Sequence, residues 1–254
     1  MASGPIVILK TGETVPEARA IAGDFPEIFQ RALGDWPGGY RVLDPTRGEL
    51  LPPARGVAGI LVTGSAASIT EDPGWMGEAG GWLLGAAQLG VPVLGICFGH
   101  QLLADAFGGV VERSPAGRES GTVEVALSEA GRADPLFAGL GETLLVQQAH
   151  SDAVTTLPAG AVVLASNAHT PNQAFALGES VRAVQFHPEF DAALSAAYVE
   201  ARADLVRSSA EGLGEEGEAA LARVRASIRE SSDGARILSN WRYYYLESGE
   251  RRSA

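Results

Sequence analysis

The apolar run Val91-Pro92-Val93-Leu94 leads straight into Gly95-Ile96-Cys97-Phe98-Gly99-His100-Gln101, and a second apolar run, Leu102–Phe107, follows. A strand that ends in Gly-x-nucleophile-x-Gly and opens directly into a helix is the sequence form of a nucleophile elbow. Glycines on either side carry no Cβ to clash, so the backbone turns sharply and lifts the middle residue clear of the sheet. The helix that begins there points its N-terminus at the sulfur, and the partial positive charge at that end favours a thiolate. A lone cysteine in an apolar region is ordinarily a buried small hydrophobe. Two glycines at this spacing, between strand and helix, select Cys97 as a nucleophile instead.

Such a nucleophile needs a base, and triads are assembled in space rather than along the chain. The chain has four histidines. His100 falls inside the helix and points along it, while His169 lies in the turn-rich segment Ser166–Asn172, where a solvated loop histidine is the default. His187 closes the strand Val181–Phe186 and is followed by Pro188-Glu189. Residues two apart in extended chain project to the same side. Glu189 therefore reaches the imidazole of His187, holds its tautomer and stabilises the imidazolium, the third role in a Cys-His-acid triad.

Gly95–Gln101 together with Gln185-Phe186-His187-Pro188-Glu189 resembles the paired signature of class I (triad) glutamine amidotransferases, and the 90 positions between Cys97 and His187 resemble that family too. The resemblance covers roughly residues 5 to 195. It implies an α/β fold with a mainly parallel central sheet flanked by helices, flavodoxin-like. Leu61–Ser68 resembles the oxyanion loop of the stand-alone, GMP-synthetase-like members, although Gly64-Ser65-Ala66 departs from the Gly-Gly-Pro of many relatives. Glu71-Asp72-Pro73-Gly74-Trp75-Met76 is similar to the same subgroup. By this resemblance Gln101 helps to bind substrate, and Gln147–Asp152, with His150, Ser151 and Asp152, forms the loop for the α-amino-acid end of glutamine. Asn172–Ala176 resembles the short strand before the histidine strand, its polar residues structural.

The chemistry gives each segment a task. A γ-amide is a poor electrophile, so it calls for a thiolate, a proton for the leaving ammonia and a place for negative charge. Cys97 would form a γ-glutamyl thioester; His187 would protonate ammonia and then activate water. The backbone N–H of Phe98 and one from Gly64-Ser65 would stabilise the oxyanion. No metal or cofactor is expected. The same triad also suits a γ-glutamyl peptide hydrolase, and a non-catalytic binding domain is the third reading.

Composition narrows the setting. One cysteine rules out an intramolecular disulfide and suits a reducing compartment. Met1–Pro5 lacks the basic and apolar regions of a signal peptide, and no apolar run reaches membrane-spanning length. A net charge of −12 argues against nucleic acid or an anionic membrane as partner. A cytoplasmic enzyme is expected. The one lysine, Lys10, follows Leu9 rather than the glycine of a Walker A loop, so the chain has no P-loop with which to activate an acceptor. An ammonia-accepting synthetase in trans and a second copy of the chain are the candidate partners.

Strand and helix runs alternate as in a mainly parallel sheet. Strands are expected at Ile6–Leu9, Arg41–Leu43 and Gly59–Val62, with helices at Phe25–Leu33 and Trp75–Gln88. Further β-like runs at Gly109–Glu112, Val123–Leu127, Leu144–Gln147, Val162–Leu164, Ala174–Leu177 and Val181–Phe186 are expected to add antiparallel pieces. Residues 1–195 are read as the amidotransferase-like domain and 196–254 as a helical extension packed on it. That extension comprises an alanine-rich helix over Ala192–Ser209, an acidic break at Gly212–Gly217, a helix at Ala219–Ile228, and the aromatic cluster Trp241–Tyr245.

Overall fold

The computed structural model describes residues 4–71 and 74–248; Met1–Ser3, Asp72 and Pro73 of the Glu71–Met76 segment, and residues 249–254 lie outside the described residues. The strands are β1 (Ile6–Leu9), β2 (Tyr40–Leu43), β3 (Gly59–Val62), β4 (Val93–Ile96), β5 (Val110–Arg113), β6 (Glu119–Leu127), β7 (Thr143–His150), β8 (Asp152–Thr156), β9 (Ala161–Ser166), β10 (Ala174–Leu177) and β11 (Val181–Val184). The helices are α1 (Pro16–Ala22), α2 (Phe25–Leu33), α3 (Met76–Gln88), α4 (Phe98–Ala106), α5 (Glu129–Ala133), α6 (Ala192–Ala201), α7 (Ala203–Gly212), α8 (Gly217–Ser227) and α9 (Asp233–Asn240), with a π-helical turn over Trp241–Glu247.

Nine strands form one sheet in the order β2-β1-β3-β4-β11-β10-β9-β6-β7. The first five run parallel, and β10, β9, β6 and β7 continue the sheet antiparallel. β1, β3 and β4 are buried along their whole length, as apolar strands must be when helices cover both faces. On one face α2, α6 and α9 pack over Ile6, Ile8, Leu61, Leu94 and Ile96. On the other, α3 and α4 pack over Val7, Leu9, Ile60, Val62 and Val93. The expected α/β architecture, mainly parallel where the site lies and antiparallel beyond it, is the one observed.

Sheet register positions the chemistry. β4 lies between β3 and β11, with Gly95 opposite Val62 on one side and Ala183 on the other. Three parallel strands thus deliver their following loops, which carry Gly64, Cys97 and His187, to one place. Ligands in open α/β sheets bind beyond the carboxyl ends of such strands.

Several elements depart from the sequence reading. α1, α5 and β8 have no counterpart in it, and β5 leaves the main sheet to pair with β8 in a separate two-stranded ribbon. Gln147–Asp152 is less a loop than the end of β7 and the start of β8, with Ser151 between them. The alanine-rich run is two helices broken at Arg202, and residue 195 lies inside the first of them.

The extension is tied down throughout. Arg229 N–H donates to Thr122 Oγ1 at 2.9 Å, Asn240 Nδ2 donates to the carbonyls of Leu136 and Ala138, and Trp241 is wholly buried in the main core. A buried ion pair joins Arg182 Nε to Asp134 Oδ2 at 2.7 Å, and the Tyr245 hydroxyl donates to the other oxygen of Asp134 at 2.8 Å. Among the described residues no helix is long and apolar enough to cross a membrane.

Candidate active site

Cys97 has φ +52°, the one positive value outside glycine among the described residues. A side chain is strained there and persists only where its surroundings impose it. The surroundings are the glycines. A Cβ on Gly95 would lie 2.5 Å from the Gly99 carbonyl oxygen, and one on Gly99 would lie 2.5 Å from that of Val62. The elbow therefore packs backbone on backbone, with Cys97 N–H donating to Val184 O at 2.9 Å. Phe98 opens α4, and the first N–H groups of a helix have no partner within it.

His187 follows β11 by three residues and its N–H donates to Gln147 O at 2.9 Å, an anchor in β7. Its Nδ1 meets Glu189 Oε1 at 2.8 Å, and Cys97 lines the same cavity. The ring lies nearly parallel to Phe190, at 4.2 Å between centroids, and to Phe25, at 6.4 Å. Burial alone would strip its proton, but the Glu189 carboxylate and Cys97 outweigh burial and raise its pKa to about 10.

The loop after β3 closes over this pair. A Cβ on Gly64 would sit 2.9 Å from His187 Cε1 and 3.7 Å from Cys97 Cβ. The Gly64 carbonyl lies within hydrogen-bonding distance of the Thr11 and Thr63 hydroxyls, at 3.0 and 2.9 Å. A trans peptide sets the next N–H, that of Ser65, opposite to that carbonyl.

The other expected residues line the same cavity of about 240 Å³, but in different ways. Gln101 Nε2 donates to Asp152 O at 2.8 Å. His150 also spends its ring there: Nδ1 meets Asp152 O at 2.9 Å and Nε2 meets Glu119 Oε2 at 3.0 Å. Both ring nitrogens are thus occupied by the protein, so the expectation of a substrate-binding side chain gives way to a bridge that fixes the Asp152 backbone. Asp152 keeps its carboxylate at the cavity, where Ser68 Oγ donates to Oδ2 at 2.5 Å and Arg113 stands 3.4 Å from Oδ1. Ser151 Oγ accepts from Arg118 Nη1 at 3.0 Å. His100 is buried against Phe175, 4.9 Å between ring centroids, and burial pushes its pKa down to about 3. His169 is partly buried rather than solvated, its Nδ1 3.8 Å from Glu119 Oε2.

Sequence reasoning missed the arginines. Arg113, Arg118 and Arg202 all border the cavity, in a chain of net charge −12. Burial, with Arg202 and Arg113 adding to it and Cys97 and Asp152 opposing it, pushes the Arg118 guanidinium down to about 10. The signal available was the scarcity of cations: each arginine in an acidic chain merits a search for what it faces.

A family model described as "Glutamine amidotransferase class-I" matches residues 47–202. A glutamine-hydrolyzing GMP synthase of Aeropyrum pernix is 42% identical over 142 residues, which cover 56% of this chain and 25% of that protein. One of the subunits of a glutamine-hydrolyzing GMP synthase from Saccharolobus solfataricus is 35% identical over 148 residues, 56% of this chain and 75% of that one. The chain thus spans about a quarter of the length of the first of these relatives. The crystal structure of a glutamine amidotransferase from Methylobacillus flagellatus superposes with a TM-score of 0.71, covering 98% of each chain at 22% identity, a likeness of fold.

Proposed function

From the premise that the chain belongs to the class-I glutamine amidotransferase family, we propose that it cleaves the γ-amide of glutamine through a thioester on Cys97. The observation that carries the reading is His187, hydrogen-bonded to Glu189 at 2.8 Å and lining the same cavity as Cys97. The Cys97 sulfur attacks the carbonyl carbon of the γ-amide, and the tetrahedral oxyanion takes hydrogen bonds from Phe98 N–H and from the Gly64-Ser65 loop. His187 passes its proton to the departing nitrogen, and ammonia leaves. The neutral imidazole then draws a proton from water, which attacks the thioester to release glutamate and free the sulfur. Glu189 orients the ring and stabilises its charged form throughout. Gln101, Ser151 and Asp152 hold the amino-acid end, with His150 as the brace behind Asp152.

Ammonia released here would serve a synthetase in trans. The likeness to a relative that is itself one of the subunits of a GMP synthase supports that reading, as does a lone lysine outside any P-loop. Incubation with glutamine tests the mechanism: intact-protein mass should show a γ-glutamyl adduct on Cys97, and Cys97→Ala should release no glutamate. Glutamate release by the Cys97→Ala protein would overturn it.

A further inference from the structure

The cavity at Cys97 does not end at the glutamyl loop. Ser65, Ala66, Ala67 and Arg202 form a rim that it shares with a second, larger cavity of about 530 Å³. The second cavity includes neither Cys97 nor any residue of 149–152. It therefore lies across the rim from the end that would hold the α-amino and α-carboxyl groups. A substituent on the amide nitrogen points away from the glutamyl chain, across the scissile bond, and this is the space it would enter. Ammonia needs no such chamber.

Arg202 is the cation on that rim. It sits in the break between α6 and α7, with φ −119° and ψ 20°. Among the described residues its guanidinium makes no ion pair, whereas Arg113 has Asp152 and most arginines of the chain have a carboxylate within 4 Å. Glu71 and Asp152 border the first cavity and Glu13 and Glu17 the second, and none of them forms an ion pair with it. Arg118 beside it also carries a buried Nε with no partner. A partly buried guanidinium left without a counter-ion costs solvation, which an incoming carboxylate restores.

We propose that Arg202 is a specificity-determining residue that binds a carboxylate on the amine side of the γ-amide, making γ-glutamyl amino acids a second substrate class of the same site beside glutamine. The inference rests on the thioester reading above. The step balances as hydrolysis. The sulfur–carbon bond forms, the carbon–nitrogen bond breaks, His187 gives its proton to the nitrogen, and a free amino acid leaves in place of ammonia. Water then releases glutamate. The extension supports the arrangement from behind: Ser209 Oγ in α7 accepts the Arg118 backbone N–H at 2.7 Å.

The test compares γ-glutamylglycine, γ-glutamylglycinamide and glutamine on the purified full chain, on Arg202→Gln and on Arg202→Lys. Both dipeptide-like substrates share the glutamyl end and differ only in the distal carboxylate. The parent chain should favour γ-glutamylglycine over its amide by about tenfold or more in kcat/KM, as a charge-assisted contact implies. R202Q should bring that ratio close to one, and R202K should keep most of it. A ratio near one in the parent chain, an unchanged ratio in R202Q, or an equal loss on both substrates would each overturn the proposal. Acylation of Cys97 by glutamine without any carboxylate preference sinks this inference alone. If none of the three compounds acylates Cys97, the thioester reading falls and the inference falls with it.

Discussion

Gly64 and His187 lie in such close contact that a single methyl group on the glycine would reach within 2.9 Å of the imidazole Cε1. That distance is shorter than real Cβ contacts allow, and the ring is held from behind by Phe190. Gly64→Ala should therefore move the imidazole or the loop. A misplacement of this kind costs about 10²-fold in rate. Glutaminase assays should show the loss, while the thermal midpoint stays near that of the parent; full activity in the alanine variant would break the assignment of this loop.

Glu189 contacts no expected substrate atom, so its influence runs through His187. Glu189→Gln keeps the shape and removes the charge. A loss in kcat of about 10²–10⁴-fold is expected, with a smaller change in KM. Steady-state kinetics on glutamine check it, and a loss confined to KM would contradict the role.

The raised pKa of His187 sets a pH profile. A histidine whose pKa rises on folding stays protonated through neutral pH and loses its proton only as pH climbs past the raised value. With Glu189 and Cys97 holding it near 10, kcat/KM should stay flat from neutral pH and fall as pH rises through about 10. In Glu189→Gln that alkaline limb should move to lower pH. A limb in the ordinary histidine range in the parent chain would count against the ion pair.

Lys10 is the hub of an ion-pair group, 2.9 Å from Asp24 Oδ2 and 3.7 Å from Asp44 Oδ2. Burial would raise the Asp24 carboxyl. The Lys10 ammonium and the N–H groups of Thr14 and Phe25 outweigh burial and pull it from 3.8 down to about 2. Its stabilising contribution is therefore present above about 3.8 and is lost as pH falls through about 2. Asp24→Asn should lower the urea midpoint at neutral pH and make little difference near pH 2, as equilibrium unfolding at the two pH values will show.

Removing the Trp241 side chain should cost about 3–5 kcal/mol, the range for a fully buried aromatic. Arg182→Leu should cost a similar amount because it strands the buried Asp134 carboxylate. Thermal unfolding measures both, and a change below about 1 kcal/mol in the Trp241 variant would show that the extension stabilises little.

The elbow and its partners were legible in sequence because each rests on short-range rules. Strand, glycine, cysteine, glycine and helix are contiguous, and the two-residue spacing of His187 and Glu189 is enough to bring them together. Most parallel strands announced themselves as apolar runs buried on both faces. What escaped was set by distant contacts. β8 begins at Asp152 only because β5 lies ready to pair with it. His150 turned from a candidate ligand contact into a brace because Glu119, 31 positions away, reaches its ring. Arg202 leaves no periodic mark, since its importance comes from the break between two helices that read as one alanine-rich run.

The covering of the first strands by the last helices bears on how the chain reaches its native state. Leu246 packs against Gly59 so tightly that a Cβ there would meet its Cδ2 at 2.5 Å, and Trp241 lies 3.4 Å from the same point. On a ribosome, β3 is made early, yet the part of its apolar face at Gly59 waits for Leu246, 187 positions later. Chains truncated after residue 232 should therefore remain more open to protease in β3 than the full chain, in which Leu246 covers Gly59. The seal over an early strand is thus among the last pieces to form.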